Sequence, residues 1–110
     1  MAQLVTPEEL PVANPSPGIV RRVVAGQGLM LAEFTISAGC RIPPHSHPHE
    51  QIGYVVSGRA LFRSGDAVRE LRAGSAYAVP GGEVHEVQVL GDEDATFVDV
   101  FTPIREDYLP

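Results

Sequence analysis

The chain has 110 residues, a formal charge of −6 at neutral pH and no lysine, all eight basic residues being arginine. That is enough for one domain, and without a basic stripe neither nucleic acid nor an anionic membrane is an expected partner. Eleven glycines and ten prolines punctuate short apolar runs, which points to an all-β domain rich in turns.

Residues 1–18 read as an N-terminal arm rich in proline, followed by a barrel domain over 19–110. Within the arm, Thr6-Pro7-Glu8-Glu9 carries the signals of a helical turn: a capping residue, proline at the first position and acids in the first turn. The first ten residues lack the basic start and apolar centre of a signal peptide. No run approaches the roughly 20 apolar residues of a membrane span. Ile19–Val24 and Leu29–Ser37 are predicted strands; in the second, Met30, Ala32, Phe34 and Ile36 alternate with Glu33 and Thr35, so one face is buried. Cys40 is the only cysteine. It excludes an internal disulfide, suits a reducing cytoplasm and reads as a small buried apolar residue. Ile42-Pro43-Pro44 stiffens the approach to a histidine cluster. Further strands follow at Ile52–Ser57, Ala60–Arg63, Ala67–Leu71, Ser75–Val79, Val84–Val89 and Thr96–Phe101, with a hairpin signal at Ser64-Gly65. Short strands at this spacing predict a sandwich or small barrel.

The stretch Gly39–Gly58 holds His45, His47 and His49, with Gln51 next in line. Side chains two apart on an extended segment share a face, so His45 and His47 are expected to converge. Gln51 reaches the same point if the chain turns at Pro48. His85 follows Pro80-Gly81-Gly82 and completes an expected metal set of His45, His47, Gln51 and His85. Three imidazoles and an amide oxygen are neutral donors that suit a divalent transition ion: zinc, nickel, manganese, iron, cobalt or copper. His49 reads as a rim residue. Glu50 faces away from the ligands unless the strand slips by one residue. On the last strand Phe97, Asp99 and Phe101 share a face and apolar residues surround Asp99, so its carboxylate is expected to be buried. Asp99 is thereby a candidate acid or base, Arg105 a candidate for gripping a carboxylate, and Phe101 a candidate substrate contact.

The spacing from Gly39 through His45, His47 and Gln51 to Gly58, and then from Gly74 through Pro80 and Gly82 to His85, resembles the paired motifs of the cupin family. Gln51 stands where the family usually carries glutamate, and Val89 where it often carries asparagine. The resemblance implies a jelly-roll (double-stranded β-helix) barrel, ligands lining its mouth and a homodimer, and the C-terminal tail carrying Arg105 is expected to fold over that mouth. The set of His45, His47, Gln51 and His85 followed by Asp99, Phe101 and Arg105 is similar to the small cupins of pectin and alginate breakdown. It implies metal-dependent conversion of a 4,5-unsaturated uronate to a linear keto sugar. Asp99 and Arg105 would be catalytic, and Phe101 and Arg105 would contact substrate. Two other readings stay open: a non-enzymic ligand-binding or sensing cupin, and a metal-dependent dioxygenase.

Overall fold

The computed structural model describes all of residues 1–110. Ten strands run as β1 (Val12–Ser16), β2 (Ile19–Ala25), β3 (Met30–Ile36), β4 (Arg41–His45), β5 (Glu50–Ser57), β6 (Arg59–Ser64), β7 (Ala67–Arg72), β8 (Ala76–Val79), β9 (His85–Val89) and β10 (Ala95–Thr102). One sheet has the order β1-β2-β3-β10-β5-β8, the other β4-β9-β6-β7. All pairings are antiparallel. This is the all-β jelly roll that the strand spacing predicts, and every strand predicted from the sequence lies within two residues of its expected ends. No helix is long and apolar enough to cross a membrane.

Two strands were not expected. β1 lies within the proline-rich arm and pairs with β2 of its own chain as an edge strand. β4 contains Pro43 and Pro44, and it too is an edge strand. Proline lacks the N–H that an interior strand must donate, so an edge or a bulge is where it fits. The ladder to β9 breaks between Ile42 and His45, and the prolines sit in that break. The turn at Pro7–Glu9 is a single turn of 3-10 helix. The Glu9 carboxylate closes it by accepting from the Thr6 hydroxyl (2.9 Å) and the Thr6 N–H (3.3 Å).

The core lies between the sheets. β3 contributes Met30, Ala32, Phe34 and Ile36, β10 contributes Phe97 and Phe101, and Phe62, Val87 and Val89 face them from the second sheet. Burying each large apolar side chain contributes about 1.5–3 kcal/mol. β10 is paired along both edges, to β3 and β5, which makes it a rigid platform for its inward residues. Asp99 sits in the middle of that inward row, opposite Ala32 on one side and Gly53 on the other. Two small neighbours leave space above the carboxylate, and a cavity occupies it.

Candidate metal centre and cavity

The break in the β4 ladder places one extra residue on β4 between Ile42–Val87 and His45–His85. That bulge puts His45 directly across from His85, with ring centroids 4.2 Å apart. His47 does not reach them by strand alternation. It lies in the bend between β4 and β5, and a turn from the other side holds it: Gly82 N–H donates to the His47 carbonyl at 2.8 Å. A side chain at Gly81 would strike the Pro48 carbonyl, so only glycine lets the two loops meet. The His47 ring then stands 5.0 Å from His85, centroid to centroid. The expected convergence of His45 and His47 is thus made by a bend and not by a shared strand face.

One ring nitrogen from each of His45, His47 and His85 lies within 4.8 Å of the others. Each Nδ1 bonds a backbone carbonyl: His45 to Pro43 at 2.9 Å, His47 to His49 at 3.0 Å and His85 to Glu83 at 2.9 Å. A carbonyl only accepts, so each Nδ1 carries the proton and each Nε2 presents a lone pair. His85 Nε2 is buried without a hydrogen-bond partner. Gln51 Oε1 lies 3.1 Å from His47 Nε2, while the other end of the Gln51 side chain lies near the Asp99 carboxylate and lowers its pKa. Since a carboxylate needs a donor, the Gln51 amide nitrogen faces Asp99 and its oxygen faces His47. Two acceptors then point at each other, an arrangement that a cation between them satisfies. Burial holds the His47 and His85 imidazoles below their ordinary value, in the neutral form that binds metal. The donor set fits one divalent ion held by three imidazoles with Gln51 beside them.

The other residues singled out from the sequence are distributed around this centre. His49 is half-buried, with its ring 5.5 Å from that of His47. Its backbone carbonyl orients His47. Glu50 is exposed and Gln51 buried, so the register with Gln51 inward is the one the chain adopts. Asp99 is 4 % exposed. Its partner is neither an arginine nor a backbone group, but the Tyr77 hydroxyl at 2.5 Å. Gly53 separates the two in the sheet, opposite Asp99 on β10 and opposite Tyr77 on β8. Burial pushes the Asp99 carboxyl up to about 6, against the lowering influence of Tyr77, Gln51 and Arg105. Burial and the neighbouring carboxylate raise the Tyr77 phenol.

A cavity of about 60 Å³ lies among His45, Gln51, Tyr77, His85, Asp99 and Arg105. That is room for several waters. Arg105 and Tyr108 of the C-terminal tail close it on one side. The Arg105 guanidinium stands 5.1 Å from the Phe101 ring centroid and donates to the Tyr108 hydroxyl at 2.8 Å. Phe101 lines the cavity and packs edge-on against His47 at 5.5 Å. Sequence reasoning missed Tyr77, Gly53 and Tyr108. The available signals were a glycine inside a strand, which marks close approach, and the alternation in β8 that turns Tyr77 inward.

A two-sheet jelly roll with a three-histidine centre among its interior residues defines a class of barrel compatible with metal binding. The family model for the cupin domain matches residues 32–101, and the chain belongs to the cupin family. The structure superposes on KdgF from Halomonas sp. with a TM-score of 0.90 and 32% identity, covering 99% of this chain and 100% of that one. An RmlC-like cupin from Shewanella frigidimarina shares the fold at TM-score 0.90 and 24% identity, over 99% of this chain and 97% of that one. A 65-residue stretch is 37% identical to germin-like protein 3-1 of Oryza sativa subsp. japonica, covering 54% of this chain. The match spans 29% of that relative's length.

Proposed function

We propose that this cupin is a metal-dependent enzyme acting on a small carboxylated sugar, and specifically that it converts a 4,5-unsaturated uronate to the linear keto sugar. The observation that carries the reading is the buried Asp99 carboxylate, hydrogen-bonded by Tyr77 and facing the same cavity as His45, His85 and Arg105. The full-length likeness to KdgF supports it. The reaction is an isomerisation. The ring oxygen parts from the anomeric carbon, the anomeric hydroxyl loses its proton as the aldehyde forms, and a proton adds to the double bond as the enol becomes a ketone. Proton in and proton out need one group able to do both, and Asp99 is positioned for it. A bound divalent ion supplies polarisation of a substrate oxygen. Arg105 holds the substrate carboxylate, and Gln51 keeps Asp99 aligned with the histidines.

The test is the decay of the ultraviolet absorbance of an unsaturated uronate with purified protein, with and without chelator, with metal content measured on the same sample. Acceleration over the spontaneous rate that chelator abolishes supports the reading. Full metal loading with no acceleration refutes it. Tight binding of a uronate without turnover would favour a non-enzymic ligand-binding cupin.

A further inference from the structure

Arg21 occupies a place where arginine is out of pattern. It pairs across β2–β3 with the buried Phe34, is itself half-buried, and takes part in none of the four ion pairs of the chain. Its guanidinium carbon lies 3.8 Å from the Tyr108 ring centroid. The Arg105 guanidinium carbon lies 3.9 Å from the same centroid. The two cations therefore stand less than 8 Å apart, sharing one phenol ring beside the metal cavity. Like charges at that separation repel; Asp107 pairs with Arg105, and no carboxylate pairs with Arg21.

Asp107 is bound by the Arg105 fork, Nε to Oδ1 at 3.3 Å and Nη2 to Oδ2 at 2.9 Å. The Arg105 side chain is 12% exposed and that of Asp107 59%. The bidentate geometry is the one in which an arginine takes any carboxylate. The Asp107 end of the pair is open to solvent while the Arg105 end is buried, so an incoming carboxylate can take over the buried guanidinium as Asp107 returns to water. The tail segment that lines one side of the cavity through Arg105 and Tyr108 carries Asp107 between them.

We propose that Arg21 and Arg105 together form a two-guanidinium site for the substrate carboxylate, and that the Asp107 carboxylate and Tyr108 ring of the same chain occupy this site until substrate displaces them. The proposal deepens the uronate reading and rests on it for the identity of the ligand. Arg21 grips the carboxylate from the β2 side and Arg105 from the tail. Asp107 is an internal competitor, and the Tyr108 ring lies against both cations.

The test is calorimetric titration of the metal-loaded protein with D-galacturonate, a saturated uronate, and with neutral D-galactose. Wild type is expected to bind the acid and not the neutral sugar. Arg21→Gln is expected to weaken galacturonate binding about tenfold, as loss of a charged hydrogen-bond donor does, with Arg21→Lys in between. Asp107 is exposed, and Asp107→Asn, which removes the competing charge, is expected to tighten binding about threefold or more. Unchanged binding in Arg21→Gln, weaker binding in Asp107→Asn, or no binding of galacturonate to wild type overturns the proposal, whatever the turnover. The expected binding pattern without turnover of the unsaturated sugar keeps the two-arginine site and removes only the catalytic reading.

Discussion

The Tyr77 hydroxyl donates to Asp99 Oδ1 at 2.5 Å, and it does so across Gly53, the residue that stands between them in the sheet. A buried carboxylate without a donor is costly, and this phenol supplies one from a strand that is not a neighbour of β10. Replacing Asp99 by asparagine preserves the shape and removes the group proposed to transfer the proton. Asp99→Asn is expected to lower turnover at least about 100-fold with metal content by elemental analysis unchanged. Activity equal to wild type would exclude Asp99 from the chemistry.

A Cβ at Gly53 would run into both the Tyr77 ring and the Asp99 carboxylate. Gly53→Ala must therefore push β8 outward or break the hydrogen bond. The expected cost is about 1–3 kcal/mol, as for overpacking elsewhere. Thermal unfolding of the metal-free protein measures it, and an unchanged midpoint would mean that Tyr77 moves aside freely.

Metal removal should be visible in stability as well as in activity. A ligand that binds only the folded chain stabilises it by about 2.7 kcal/mol at 100 times its Kd. Chelator is expected to lower the unfolding midpoint of wild type and to have no effect on His85→Ala, whose missing Nε2 is the buried lone pair without a partner. A chelator-insensitive wild type that still contains metal would show that the ion lies elsewhere.

Alkaline pH gives a signal independent of the metal. Burial, then the Asp99 carboxylate, raises the Tyr77 phenol above its ordinary value of 10.0. Burial also raises Tyr108, against the lowering influence of Arg105 and Arg21. As pH climbs past the ordinary tyrosine value, the unfolded chain has released protons that the folded chain keeps. Stability is then lost with rising pH, while below that value the contribution is fully present. Urea midpoints measured between pH ~9 and ~11 are expected to fall for wild type and to fall less steeply for Tyr77→Phe. Parallel curves would show Tyr77 to be open to solvent.

Much of this protein was legible in one dimension. The period-two alternation of Met30–Ile36 and Phe97–Phe101, and the glycines and prolines between runs, determined an all-β barrel because strand faces and turns are local properties of the chain. The spacing of His45, His47, Gln51 and His85 pointed to one cluster for the same reason, since each motif is a short loop leading into or out of a strand. What only the tertiary structure decided depends on which strands are neighbours. The order β10-β5-β8 sets Tyr77 over Gly53 against Asp99. The bulge at Pro43-Pro44 sets His45 opposite His85. The fold-back of the tail sets the Tyr108 ring against both Arg21 and Arg105. Each joins residues from strands or tail segments separated along the chain, and sheet order and register come from the packing of the whole core, which no local pattern encodes.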